Sequence, residues 1–310
     1  MSDDWGIIGG GFGLYGYLPA LAKMGAKSIL IHEKHLHLMN LREELRGYFS
    51  IIHAVPSYEV LVNIVDSLIV SVPPQAQEIY ILQNAGTRYK NLLLEKPLGI
   101  NPISANRVFA KGVDIADKVR VGYAFLYTKW AQKIYSKFPA EKVNQINIVW
   151  KFDSHHHRNG LRSWKSNHNI GGGALRFYGI QLIAFIASFG ELAEVKAPRL
   201  AIDDAGDAYE WTAELVLKND LRITIQLNSQ LPKNQFDVLV KASKETLVIN
   251  LESPFDGELK CGIQDIRISA LSSILETFKN DNLNDYYFYT NVNNIWNIIE
   301  SKTDFYFMKY

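Results

Sequence analysis

The sequence predicts an α/β protein in two parts. A doubly wound parallel sheet comes first, and an α/β domain with a large, open, mostly antiparallel sheet follows. Three observations predict this. Residues 5–124 alternate short apolar runs with helical patterns, as in a parallel sheet whose crossover helices cover both faces. A glycine-rich stretch, Gly9 to Gly16, joins the first such run to the first helical pattern. From Glu194 to Ile268 apolar residues recur at every second position, in TAELVLK, RITIQLN, FDVLVKA and TLVINLE. Period two over long runs marks strands with one buried face. The change of pattern divides the 310 residues into domains 1–121 and 122–310, in keeping with roughly 100–200 residues per domain.

Taken in order, Trp5 to Ile8 reads as a strand, and Tyr17 to Met24 carries helical spacing after the glycines. Ser28 to His32 is a second strand and Leu36 to Leu45 a helix. Ile51 to Ala54 and Ser67 to Val72 are strands flanking a helix over Tyr58 to Val65. A helix over Gln75 to Asn84, a strand over Asn91 to Leu94, a helix over Ser104 to Lys111 and a strand over Val119 to Ala124 complete the first domain. In the second, a helix from Trp130 to Phe138 leads to a strand from Gln145 to Phe152. The polar loop SHHHRNGLRSWKSNHN follows, and Gly171 to Gly173 introduce a strongly apolar helix, Ala174 to Phe189. The strand-rich region ends before a helix from Val292 to Ser301, which is expected to pack back on the first domain, and an aromatic tail, DFYFMKY.

Composition excludes several classes. Hydrophobic residues make up 47% and charged residues 21%, the proportions of an ordinary globular chain rather than a disordered, collagen-like or coiled-coil one. Lys and Arg number 33 against 32 Asp and Glu, so there is no global positive charge to draw the chain to nucleic acid. The longest apolar stretch, Ile180 to Phe189, is too short to span a bilayer, so no membrane partner is expected. The single cysteine, Cys261, cannot form an internal disulfide or a cysteine-based zinc site. With the acidic, unleader-like N-terminus it predicts a cytoplasmic protein.

Gly11, Gly13 and Gly16 form one G-x-G-x-x-G register, and Gly9 with Gly11 can open another. Between a strand and a helix such glycines allow a tight turn and let a pyrophosphate approach the helix N-terminus. Glu33 ends the second strand ~20 residues later, where an acid accepts the adenosine ribose hydroxyls. A carboxylate there repels a ribose 2′-phosphate, so NAD is favoured over NADP. Lys34, next to it, works against that preference.

Three segments together resemble the family of glucose–fructose oxidoreductase, inositol dehydrogenase and the rhizopine-catabolism proteins. They are GIIGGGFGLYGYLPAL, SVPPQAQEIYILQNAGTRYKNLLLEKPLG with its Glu95-Lys96-Pro97 signature, and GGGALRFYGIQLIAFIASFG. VGYAF at 121–125 resembles the family's domain junction, so the likeness runs to about residue 190. It implies a Rossmann domain followed by an α/β domain with an open sheet, and a nicotinamide cofactor. It also implies a sugar, cyclitol or nucleotide-sugar substrate, and a homodimer or homotetramer formed through that sheet. By the same resemblance Gly9, Gly11, Phe12, Gly13, Glu33, Lys34, Val72, Pro73, Glu95 and Lys96 would contact the cofactor.

The departures from the family pattern limit what carries over. Phe177 stands where the family has Asp, Gln181 where it has His, and Ala184 where it often has Asp. These positions share one helix face. A family histidine after the strand ending in Pro is replaced by Gln77 or a neighbour. Lys96 alone remains of the usual catalytic set. Hydride transfer from an alcohol carbon needs a group to exchange the hydroxyl proton, normally His. Gln181 can hold a hydroxyl but cannot titrate. Lys96 can polarise the substrate oxygen or act as a base. Tyr178, one turn before Gln181, and Tyr123, at the junction, are further proton carriers, and His168 approaches from the loop. The catalytic candidates are therefore Lys96, Tyr178 and Gln181; the substrate candidates are Lys96, Tyr123, Arg162, Trp164, His168 and Gln181.

His155, His156 and His157 are adjacent, and on a strand alternate side chains point to opposite faces, so no metal site is expected. The loop with Arg158, Arg162, Trp164 and Lys165 reads better as a substrate wall, cations for a phosphate or carboxylate and an indole for a sugar or base. The leading reading is an NAD-dependent oxidoreductase acting on a sugar or nucleotide-sugar derivative. The alternative is a catalytically degenerate, cofactor-binding regulator or partner protein of the same fold. The sheet over 194–268 is too wide to be covered on both faces, and the apolar area it would expose predicts self-association.

Overall fold

Short runs rich in Ile, Leu and Val can be buried on both faces only inside a parallel sheet, and the first third of the chain builds one. The computed structural model describes residues 4–83, 86–243, 245–258, 262–279 and 286–307; Cys261, the first three residues and the last three lie outside them. The chain divides into two units. The first comprises 1–99, 104–127 and 257–285; the second comprises 100–103, 128–256 and 286–310.

In the first unit β1 (Trp5–Ile8), β2 (Ile29–His32), β3 (Ile52–Val55), β4 (Ser67–Val70), β5 (Tyr89–Leu94) and β6 (Ala116–Val121) form one sheet. Its order is β3-β2-β1-β4-β5-β6, and every pairing is parallel. The order reverses between β1 and β4, the crevice in which doubly wound sheets bind their ligands. Helices α1 (Leu18–Lys23), α2 (Leu36–Leu41), α3 (Tyr58–Ile64), α4 (Pro74–Leu82) and α5 (Pro102–Ile115) connect the strands. Ser57 caps α3 by accepting the amide of Val60 at 3.1 Å, and Pro74 opens α4 where its missing amide costs nothing.

The sequence reading placed strands as far as Ile268, but they stop at Leu251. The chain then turns back to the first unit through α9 (Ile268–Glu276). α9 packs on α1 and on the turn that follows β6. Buried Arg120 on β6 fastens the return, donating to Thr277 Oγ1 at 2.8 Å and to its carbonyl at 3.3 Å. Period-two alternation carried no trace of this segment. The helix near 292–301 is part of α10 (Tyr286–Lys302), which falls in the second unit and lies against α8 (Ile180–Ala187). The first unit also runs to Tyr127, beyond the boundary drawn at 121.

In the second unit α6 (Lys129–Lys137) leads to β7 (Val143–Asp153), then α7 (His155–Arg158), α8, β8 (Leu192–Ile202), β9 (Ala208–Leu217), β10 (Arg222–Asn228), β11 (Gln230–Ala242), β12 (Thr246–Leu251), α10 and β13 (Asp304–Phe307). The sheet order is β12-β11-β7-β10-β9-β8-β13. The β10–β7 and β13–β8 pairs are parallel and the other four antiparallel. One face is buried through Ile148, Trp150, Ile225, Leu215, Trp211 and Val238, with α8 and α10 layered beyond it.

The other face is not the broad apolar surface expected from the alternation. It presents Asn147, Thr224, Gln226, Glu214 and Asp237, with Val149, Val216, Leu239 and Val248 interspersed. Its polar groups pair laterally, Thr224 Oγ1 donating to Asn147 at 3.0 Å and Asn250 to Asp237 at 2.7 Å.

Candidate functional site

The first unit carries a dinucleotide-type turn. β1 ends at Ile8, and Gly9 follows with φ +126, a conformation that side chains rarely adopt. A Cβ at Gly9 would strike the carbonyl oxygen of Ser71, at the end of β4. At Gly13 it would come within 2.9 Å of Ile7 Cγ2, so this glycine lets the helix lie close on the sheet. A Cβ on Gly11 would meet nothing within 4 Å. Gly11 is therefore the loop position that opens onto free space, where a phosphate can approach the backbone. The helix begins with a wide, π-helical turn, Gly13–Tyr17, and continues as α1.

The far side of the loop is fixed by a tyrosine that the sequence gave no cause to single out. Gly9 donates its amide to the Tyr58 hydroxyl at 3.2 Å. That hydroxyl lies 2.5 Å from His35 Nε2, and burial with two basic neighbours, Lys34 and His32, holds His35 down at about 4. His35 is thus neutral near pH 7, and the Tyr58 oxygen accepts from Gly9 while sharing a hydrogen bond with His35 Nε2. Glu33 and Lys34 are exposed directly after β2. The Lys34 ammonium rests over the Tyr58 ring, 4.4 Å from its centre. Val72 and Pro73 follow β4 and lead into α4. The residues present therefore fit a dinucleotide: an open glycine, a helix start behind it and an exposed acid at the end of β2.

Lys96 is half-exposed at the C-terminal edge of β5. Gln77 is fully buried and clamps the turn around it. Its Nε2 donates to the carbonyls of Glu95 at 2.9 Å, Leu98 at 3.1 Å and Pro97 at 3.4 Å, and its Oε1 accepts the amide of Glu95 at 3.1 Å. Tyr123 is wholly buried, and that burial with the nearby Glu95 carboxyl raises its phenol above the ordinary range.

The second unit carries a separate cavity of about 310 Å³, lined among others by Ser154, His156, Arg162, Tyr178, Asp203 and Asp207. Two of the candidates, Arg162 and Tyr178, are on its wall. Asp203 and Asp207 escaped sequence analysis because DDAGD reads only as a tight turn between strands. The Asp207 carboxyl is raised by burial and by Asp203, against Ser166 and Arg162, which pull it down. The Tyr178 hydroxyl bonds Ser154, and burial drives it up to about 12. Its ring packs edge-on against Trp150 and Phe152, 5.8 and 4.9 Å between centres.

Of the remaining candidates, His168 and Gln181 are buried and Trp164 is half-buried. The His168 ring lies 5.6 Å from that of Phe305, and its Nδ1 has no partner among the described residues. Burial and Arg176 push its imidazole down to about 3. Gln181 is buried on α8, and Trp164 packs edge-on against Phe177 at 5.3 Å. The start of the catalytic-type helix is held by Arg176, which grips Glu300 of α10 with two bonds of 2.6 and 2.9 Å. The three histidines, read from the sequence as part of a polar loop, form a short helical turn; His157 bonds Asp153 at 2.8 Å. Among the described residues no group of three or more His, Cys, Asp or Glu side chains converges to hold a metal.

No protein-family model and no curated protein matches the chain. Solved structures do share its fold over its whole length. A 3-ketoreductase from Actinomadura kijaniata, solved with NADP and TDP-benzene, superposes with a TM-score of 0.70 at 14% identity, covering 100% of each chain. A myo-inositol dehydrogenase from Corynebacterium glutamicum gives 0.74 at 12% identity, covering 98% of this chain and 97% of its own. GenD2, from gentamicin A biosynthesis and solved with NAD, gives 0.70 at 13% identity over 96% and 92%. The chain has the two-part fold of these proteins.

Proposed function

We propose that this chain is an oxidoreductase that moves a hydride between a nicotinamide dinucleotide and a hydroxyl or keto carbon of a sugar or nucleotide-sugar derivative. The observation that carries the reading is the turn after β1, with Gly11 open to space and Glu33 exposed at the end of β2. The 3-ketoreductase, the inositol dehydrogenase and GenD2, which share the fold, support it. NAD is preferred to NADP, because Glu33 repels a 2′-phosphate; one fold neighbour was solved with NAD and another with NADP.

Bound NAD would supply the hydride acceptor; the chain's own residues handle the oxygen and its proton. Lys96 hydrogen-bonds the substrate oxygen: in the reducing direction its ammonium gives that oxygen a proton as the hydride reaches the carbon, and in the oxidising direction the amine takes the hydroxyl proton as the hydride leaves. Gln181, in the second unit, can hold a substrate hydroxyl. Tyr178, protonated at neutral pH, donates a hydrogen bond rather than acting as a base. In the second unit, the cavity lined by Asp203, Asp207 and Arg162 offers carboxylates that accept from hydroxyls and a cation for an acidic group. Trp164 and His168 belong to the loop that also carries Arg162, and the buried phenol of Tyr123 lies near the Glu95 carboxyl. The protein works in the cytoplasm, as its single cysteine suits, and pairs with a second copy through the exposed sheet face.

The test is oxidation or reduction of a panel of sugars and nucleotide sugars, followed by nicotinamide absorbance with NAD(H) and with NADP(H). Turnover on a member of the panel, faster with NAD(H), is expected. Cofactor binding with no turnover anywhere would favour the binding-only regulator, a reading that Phe177 and Gln181 in place of Asp and His would then explain.

A further inference from the structure

Beneath Lys96 the first unit buries a carboxyl that a simple sheet edge does not require. The Glu95 side chain is buried, and its Oε2 accepts the Tyr17 hydroxyl at 2.5 Å. Tyr17 itself is fully buried in the turn that follows the glycine loop. Space for the pair is reserved by Gly122, just after β6: a Cβ there would collide with Glu95 Oε2 and come within 2.6 Å of the Tyr17 hydroxyl. Three separate parts of the first unit thus converge on one carboxyl. An isolated buried charge is costly, and such groups survive where a charged partner uses them.

The ionisable groups that face Glu95 are few. On balance burial raises its carboxyl above the ordinary range, although Lys96, the Tyr17 hydroxyl and Arg267 pull against that rise and favour the charged form. Tyr123 is the remaining one, its phenol pushed further up by the Glu95 charge. Arg267 is committed elsewhere: it holds Asp265 through two bonds of 2.8 and 2.7 Å, and its guanidinium lies 4.3 Å over the Phe12 ring. Lys96, next in the chain and half-exposed, is the cation whose charge acts most on the carboxylate.

We propose that the Glu95–Tyr17 pair is the positioning element for Lys96: it anchors the 95–98 turn and supplies the negative charge that keeps the Lys96 ammonium protonated. This rests on the reading of Lys96 as the group at the substrate oxygen, and deepens it: Lys96 then rests as the charged proton donor of the reducing direction, and oxidation requires its deprotonation first. A carboxylate beside an ammonium favours its charged form. Removing the carboxylate therefore lowers the pH at which Lys96 deprotonates.

Competitive acetylation of the full-length protein, read at Lys96 by mass spectrometry across pH 6–11, measures that midpoint without cofactor or substrate. Glu95→Gln should lower it by roughly one unit or more. Tyr17→Phe should lower it less, and Glu95→Asp should lie between wild type and Gln. Exposed Glu59→Gln should leave it alone. If Glu95→Gln does not fold, the Asp and Phe variants carry the test. A Lys96 midpoint equal to wild type in all the folded Glu95 and Tyr17 variants overturns the proposal. Because the labelling needs no turnover, a shifted midpoint in a protein that oxidises no sugar would uphold the coupling and refute the enzymatic reading alone. Where turnover is found, the alkaline limb of its pH profile should move down by the same amount in Glu95→Gln.

Discussion

His168 is 5% exposed and His35 7%, and burial with basic neighbours holds them down at about 3 and about 4. An unfolded histidine titrates near 6.5. Between that pH and the folded values the unfolded chain binds protons that the folded chain refuses, so stability falls as pH drops below 6.5. At pH 5 each histidine should account for up to about 2 kcal/mol of that loss. Urea denaturation at pH 7 and pH 5 measures it; His168→Asn and His35→Asn should each flatten the dependence, and an unchanged slope would refute the assignment. At Lys96 the expectation is kinetic. Lys96→Ala should reduce kcat ~100-fold or more while changing NAD affinity less than threefold or so, since the glycine turn is untouched. Glu33 was proposed from its place at the end of the second strand, and Lys96 from the resemblance of Glu95-Lys96-Pro97 to a family signature. Neither cue could reveal Gln77, Tyr17 or Tyr58 as partners, because each contact joins positions far apart in the chain.

Among the elements, the π-helical turn Ala174–Gly179 and α8 depend on one ion pair. The Arg176 and Glu300 side chains are 13% and 14% exposed, and Arg176 also donates to the carbonyls of Ile100 and His168, both at 2.8 Å. Removing one partner of such a pair leaves the other charge buried and typically costs about 3–5 kcal/mol. Glu300→Ala should lose stability of that order in chemical denaturation, while Arg176→Met with Glu300→Leu should recover part of it. A loss under about 1 kcal/mol would show the pair to be solvated. Strands were the most legible elements: the starts of β1, β2 and β4 lie within a residue of the sequence reading, because unbroken apolar runs have one explanation in a parallel sheet. α9 was not legible. Its apolar residues, Ile268, Leu271 and Leu275, follow a run of strands and fit either period over so short a span. DDAGD likewise signalled a turn and hid two cavity carboxylates.

At the scale of the whole molecule, the exposed face of the seven-stranded sheet bears on assembly. Its polar side chains are already paired laterally, so association through it rests on Val149, Val216, Leu239 and Val248 and on hydrogen bonds between copies. Sedimentation velocity at micromolar concentration should give a dimer or tetramer, and Leu239→Lys should shift it toward monomer; a wild-type monomer would refute the pairing. No helix among the described residues is long and apolar enough to cross a membrane. The account depends most on the claim that the turn after β1 holds a nicotinamide dinucleotide. Fluorescence titration with NADH tests it directly, using wild type and Gly11→Val. A Cβ at Gly11 meets no atom of the described residues within 4 Å, so the variant should fold, with thermal stability close to wild type. Wild type should bind NADH saturably and more tightly than NADPH, and Gly11→Val should weaken binding by ~100-fold or more, as expected when side-chain atoms fill the space a phosphate needs. Absence of saturable binding in wild type, or equal binding in the variant, would contradict the account.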